Sequence, residues 1–189
     1  MQSSIDNTEI SSMPLAVFNG RIIVINTEEE AIKAIEYLKT FNIVGIDTET
    51  KPSFKKKQIN KVALLQISTN DTCFLFRLKY IGMPDSIIEY LSNTTQLKVG
   101  LSLKDDIRVL NNRHKMTFGK YIDLQEYVTN FGITDKSLQK IYALLFHEHI
   151  SKRQRLSNWE ADVLTDAQKK YASLDAWACL RIYTTLSKA

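Results

Sequence analysis

Two carboxylates, Asp47 and Glu49, end the apolar run Ile43, Val44, Gly45 and Ile46 in the stretch NIVGIDTET. Side chains on a strand alternate faces, so these two project to one side, roughly 7 Å apart. Like charges at that spacing repel, and each also loses solvation at the edge of a core. Two other segments carry acids on apolar faces. In GLSLKDDIRVL, Leu103, Ile107 and Leu110 share one helical face. At about 100° per residue Asp106 borders that face, while Asp105 points nearly the opposite way. In DAQKKYASLDAWACLRIYTTL, Leu174, Ala178, Ile182 and Leu186 form a stripe that holds Tyr171 and Asp175 one turn apart. A buried carboxylate costs several kcal/mol unless compensated, and an amide or an arginine can compensate one. Four, drawn from a strand and two helices, need a shared counter-charge. Oxygen ligands without accompanying His or Cys suit a hard divalent cation, Mg²⁺ or Mn²⁺.

The elements that must position these groups follow from pattern. RIIVI (21–25) reads as a strand, and Thr27 as the N-cap of a helix whose first turn holds Glu28, Glu29 and Glu30. Ala31, Ile32, Ile35 and Leu38 carry that helix to about residue 40. After the acidic strand come VALLQIS (62–68) and CFLF (73–76), joined across Thr69, Asn70 and Asp71 as a hairpin. A helix near 85–92, the strand LKVG (97–100), a helix from Ser102 to about Asn112 and the short apolar piece YID (121–123) follow. Three further helices begin near Leu124, Ser137 and Thr165, the last reaching Leu186. Strands in series followed by alternating helix and strand predict an α/β sandwich around a mixed sheet. Residues 1–20 are polar and aperiodic and are expected to form a flexible arm, with one domain over 21–189.

The chain of 189 residues is long enough to bury a core of its own. No apolar run reaches transmembrane length, and the first residues lack the basic and apolar regions of a signal peptide. An intracellular, cytoplasmic protein is expected, with no membrane contact and no obligate protein partner. Cys73 and Cys179 lack metal-ligand spacing and fit free, packed thiols in a reducing compartment. Net charge is +4. Lys51, Lys55, Lys56, Lys57 and Lys61 fall within eleven residues after the acidic strand, and Lys152, Arg153 and Arg155 precede Trp159. A lysine run alone reads as a solvated loop; beside paired carboxylates it can hold a phosphate backbone next to a cation site.

Taken together, these stretches resemble the DEDD superfamily of 3′–5′ exonucleases. GIDTET resembles its first motif, D-x-E at the end of the first core strand. KVGLSLKDDIRVL resembles the second, in which an Asp follows the strand-ending Gly by six positions, here Asp106. YASLD matches the third, Y-x-x-x-D, of the tyrosine subclass. The histidine subclass has a His five residues before its last Asp, and the residues at that offset from His114, His147 and His149 are Gly119, Lys152 and Gln154. VALLQIS, YIDLQ and LSNWEADVLTDAQKKYASLDAWACLRIY extend the similarity to the family of RNase D and the Werner syndrome exonuclease domain, over roughly residues 20–188.

The resemblance implies an RNase H-like fold. It also implies stepwise hydrolysis from the free 3′ end of a nucleic acid, releasing nucleoside 5′-monophosphates with two Mg²⁺ or Mn²⁺ ions. In that reading Asp47 bridges both ions, Glu49 and Asp175 complete one site, and Asp106 supports the other through water. Tyr171 orients the attacking water, since a phenol with its usual pKa near 10 is a poor base at neutral pH. Backbone groups at Thr48 and Glu49 hold the terminal 3′ hydroxyl, and Lys51, Lys55, Lys56 and Lys57 are candidates for the phosphate backbone. Trp159 and Gln168 read as packing residues. Without a helical nucleic-acid-binding appendage, weak, distributive action with DNA slightly favoured over RNA is expected. The alternatives are an RNase D-like trimming enzyme for RNA, a catalytically weak nucleic-acid-binding module and an interaction scaffold of the same fold.

Overall fold

The computed structural model describes residues 2–53 and 60–188. Its mixed sheet contains β1 (Arg21–Ile25), β2 (Ile43–Thr50), β3 (Val62–Ser68), β4 (Thr72–Arg77), β5 (Leu97–Gly100) and β6 (Tyr121–Asp123), in the order β1-β4-β3-β2-β5-β6. β3 is antiparallel to both β2 and β4, forming the expected hairpin with β4, and all other pairs are parallel. Every residue of β3 is buried, as a central strand covered on both faces requires.

The helices are α1 (Asn7–Ser11), α2 (Glu28–Leu38), α3 (Leu78–Ile81), α4 (Asp85–Ser92), α5 (Leu103–Asn111), α6 (Leu124–Tyr127), α7 (Leu138–Phe146) and α8 (Asp166–Leu186), with a 3₁₀ turn at Val128–Phe131 after α6. α2 begins as expected: the Thr27 hydroxyl accepts from the Glu30 amide while the Glu30 carboxylate accepts from the Thr27 amide. Ile35, Leu38 and Leu91 from α2 and α4 pack with Val44, Ile46, Leu65 and Ile67 into one core. On the other face Ile141, Ala178 and Ile182 from α7 and α8 pack with Leu64, Leu75 and Val99. The single turn α3 has no sequence signal of its own and is set by the end of β4.

Two expectations differ from what is found. α8 is buried around most of its circumference, by Ala172, Ser173, Ala176, Cys179 and Leu180 besides the expected stripe. Small side chains allow a helix to be enclosed in this way. The N-terminal segment is packed rather than loose: Ile5, Ala16 and Phe18 are buried. Its polar residues hide three apolar anchors too few for a periodic pattern. Cys73 and Cys179 are free, buried thiols. No helix among the described residues is long and apolar enough to cross a membrane.

Candidate active site

The alternation of β2 sends Val44 and Ile46 into the α2–α4 core and leaves Gly45, Asp47 and Glu49 on the α8 side. Gly45 decides how near α8 can come. A Cβ on Gly45 would collide with the carbonyl oxygen of Ala176, so only glycine lets the helix backbone lie against the strand. The neighbouring residue, Asp175, is thereby brought to the acids of β2. Ligand oxygens of Asp47, Glu49 and Asp175 all lie within 4.8 Å of one another.

Asp106 arrives by a different route. Gly100 ends β5 where a Cβ would meet Leu103 and the Ile46 carbonyl. The chain then turns through Ser102 in the left-handed region, at φ 60°, to start α5. The Asp123 carboxylate holds that turn by accepting from the Ser102 amide at 3.0 Å. α5 presents Asp106 to β2, where it accepts a hydrogen bond from the Thr48 hydroxyl. Asp105 faces solvent and pairs with Arg108 at 3.0 Å. The structure thus brings Asp47, Glu49 and Asp175 into one cluster and sets Asp106 beside it, near enough to act electrostatically on Asp47.

Electrostatics mark this cluster as short of positive charge. Burial, then the charges of Asp106, Glu49 and Asp175, holds Asp47 well above the usual carboxylate range. Burial first, and then Asp175, pushes Glu49 up to about 9, partly opposed by Arg155. Burial likewise raises Asp106 and Asp175 to about 7. One oxygen of Asp175 is buried with no hydrogen-bond partner among the described residues. Such an orphaned lone pair within a set of carboxylate oxygens fits a divalent cation.

Tyr171, one turn before Asp175, has its phenol raised above the usual value by burial and by the Asp175 charge, so it stays a neutral donor. Its ring lies 6.0 Å from that of Trp159, which is fully buried and acts as packing. Gln168 closes the capping box of α8 with Thr165 and donates to the Asn158 carbonyl. Tyr171 and Asp175 open onto a cleft of about 480 Å³ whose other walls include Gln125, Lys136, Lys152 and Arg155. The basic cluster near Trp159 thus borders the acids, although an aperiodic segment gave no sign of which side chains turn inward. Lys51 lies 3.6 Å from Glu160. Lys55, Lys56 and Lys57 lie outside the described residues.

One residue was not legible at all. Gln66 pairs with Asp47 across β2 and β3, is fully buried, and neither of its amide atoms has a hydrogen-bond partner among the described residues. Cross-strand partners share a face, so Gln66 stands beside the cluster. His147 and His149 do structural work: His147 ends α7 in the left-handed conformation, and His149 Nδ1 lies 2.7 Å from the Met13 carbonyl oxygen.

Residues 22–189 match the family model described as 3′–5′ exonuclease. A 3′–5′ exonuclease of Arabidopsis thaliana is 29% identical over 93% of this chain and 66% of its own length. The mouse bifunctional 3′–5′ exonuclease/ATP-dependent helicase WRN is 27% identical over 77% of this chain and 11% of its own. The chain therefore spans from about a tenth to about two thirds of these relatives. Among solved structures, Escherichia coli RNase D, an exoribonuclease involved in structured RNA processing, superposes with a TM-score of 0.81 at 20% identity, covering 89% of this chain and 44% of that one.

Proposed function

We propose, on the premise that this chain belongs to the 3′–5′ exonuclease family, that it removes nucleoside 5′-monophosphates one at a time from the 3′ end of a nucleic acid, with DNA favoured over RNA. The observation that carries this reading is the convergence of Asp47, Glu49 and Asp175, with an orphaned Asp175 oxygen, beside Tyr171 at the mouth of a cleft. Asp47, Glu49 and Asp175 are the residues to hold Mg²⁺ or Mn²⁺, with Asp106 supporting from the Thr48 side. Bound there, two such ions supply Lewis-acid activation of water and stabilise the charge on the leaving oxygen.

The remaining work falls to the chain's own groups. The Tyr171 hydroxyl, protonated at neutral pH, donates a hydrogen bond that orients the attacking water. That oxygen gives up a proton to solvent as it bonds to the last phosphorus, the bond from phosphorus to the 3′ oxygen breaks, and the departing 3′ oxygen takes up a proton to leave as a hydroxyl. Lys152 and Arg155 draw the phosphate into the cleft, and Arg155 is the cation that reaches Glu49. Backbone groups at Thr48 and Glu49 receive the terminal 3′ hydroxyl, and Lys51 with Lys55, Lys56 and Lys57 follows the backbone upstream. Free, buried thiols accord with a reducing, cytoplasmic setting.

The test uses DNA and RNA oligonucleotides labelled at the 5′ end, single-stranded and recessed, with Mg²⁺, Mn²⁺ or EDTA. A ladder that shortens in single-nucleotide steps, needs the cation and runs faster on DNA is expected. A faster RNA ladder identifies the RNase D-like alternative. Binding without cleavage under every cation condition identifies an inactive binding module and overturns the reading.

A further inference from the structure

Gln66 sits in β3, the strand enclosed on both faces. Its register partner on β4 is Leu75, and on β2 it is Asp47. Leu64, two positions back on the same side of β3, joins Leu75 in one core with Ala172 and Ala176 of α8. Each of these neighbours except Asp47 is apolar. A leucine or methionine would suit such surroundings, whereas an amide is stripped of water there at a cost to the fold. Neither the Gln66 nitrogen nor its oxygen has a partner among the described residues, and both are shut off from solvent. An orphaned amide of this kind needs a reason outside packing.

Asp47 supplies one. Side chains directly opposed on antiparallel strands stand about 5 Å apart at Cβ, within reach of a glutamine amide. The last torsion of glutamine is broad, so the amide can turn toward Asp47 at little cost. Asp47 also feels the charges of Asp106, Glu49 and Asp175. A carboxylate among other carboxylates is free to swing unless a donor fixes its direction, and carboxylates that ligate metals are held by such donors. The donor here has to be neutral. A lysine or arginine would compete with the ion for the acids, and a further carboxylate would add repulsion. A buried glutamine meets both conditions.

We propose that Gln66 is a positioning residue: its Nε2 donates to the Asp47 carboxylate and fixes the direction in which that carboxylate meets the cations. The inference rests on the cation site of the exonuclease reading and deepens it, naming a residue outside the acid set on which that site depends. Removing a hydrogen-bond partner of a ligating group weakens metal binding about ten- to a hundredfold. The unpaired amide of the metal-free protein is then a sacrifice of stability that prepares the site for its ions.

The test compares the wild type with Gln66→Met, close in volume but without the amide, and with Leu64→Met, a packing control on the same face. Mn²⁺ affinity is read from the electron paramagnetic resonance of the free ion, without turnover, and Tm is read in EDTA. Gln66→Met should bind Mn²⁺ about tenfold or more weakly, yet melt in EDTA no earlier than the wild type, because a buried orphan is gone. Leu64→Met should keep the wild-type affinity. A crystal structure of the Mn²⁺-loaded wild type should place Gln66 Nε2 about 3 Å from an Asp47 oxygen, and it decides the matter even if Gln66→Met does not fold. Unchanged Mn²⁺ affinity in Gln66→Met, an equal loss in Leu64→Met, or a Gln66 amide out of reach of Asp47 in the loaded crystal overturns the assignment and leaves the exonuclease reading intact. A wild type that binds no Mn²⁺ overturns the cation site, and this inference falls with it.

Discussion

Asp47→Asn and Asp175→Asn should each abolish hydrolysis while leaving the metal-free protein at least as stable as the wild type. The two effects have one cause. Both carboxylates are enclosed and face other carboxylates, and burial is the largest influence on each. Asparagine keeps the shape, removes a charge, and so relieves both repulsion and desolvation. On the proposed reading it also removes a cation ligand, and the several kcal/mol of charge stabilisation then lost corresponds to roughly a thousandfold or more in rate. An Asp that served only a structural hydrogen-bond network would behave oppositely, since its Asn variant would melt earlier. Paired activity assays and thermal melts in EDTA separate the cases. Added Mg²⁺ should stabilise the wild type by mass action, about 2.7 kcal/mol at a hundredfold excess over Kd, and the variants much less.

The second large effect is a contrast between neighbours. Asp106→Asn should lower kcat by about a hundredfold or more, in keeping with lost metal support, whereas Asp105→Asn should change it little. Asp106 lies at the Thr48 hydroxyl beside the cluster. An Asn there can still accept from Thr48, so the fold persists while the charge is lost. Asp105 is 73% exposed at its side chain and, among the described residues, pairs only with Arg108. An exposed pair of that kind contributes little to stability. The reverse result, an inactive Asp105→Asn beside an active Asp106→Asn, would show that the wrong acid of the Asp105–Asp106 pair had been assigned to the site.

Much of the site was legible because its parts are periodic. Asp47 and Glu49 share a face by strand alternation, Asp106 borders a helical stripe, and Tyr171 and Asp175 stand one turn apart. The hairpin between β3 and β4 and the capped start of α2 were legible for the same local reasons. What escaped is long-range. Gly45 matters because Ala176, more than a hundred positions on, lies against it. Asp123 matters because it holds the turn at Ser102. The inward direction of Arg155, the burial of Gln66 and the anchoring of Pro14 and Ala16 on His149 arise from tertiary contact alone. Lys55, Lys56 and Lys57 lie outside the described residues, so their part rests on charge alone.

The central claim is that the acid cluster lacks a positive charge that a divalent cation supplies, and melting against pH tests it most directly. Glu49 at about 9, and Asp106 and Asp175 at about 7, all lie above the roughly 4 of an unfolded carboxylate. A group whose folded pKa is raised favours the folded state while both forms are protonated, and loses that contribution as pH climbs to the folded value. Without metal, wild-type Tm should therefore fall between about pH 4 and 9, and less steeply in Asp175→Asn. Saturating Mn²⁺ should flatten the wild-type fall, raising Tm far more at pH 8 than at pH 5, because the ion displaces protons. A wild-type Tm that rises with pH in EDTA, or a Mn²⁺ shift equal at both pH values and in Asp175→Asn, would contradict the account.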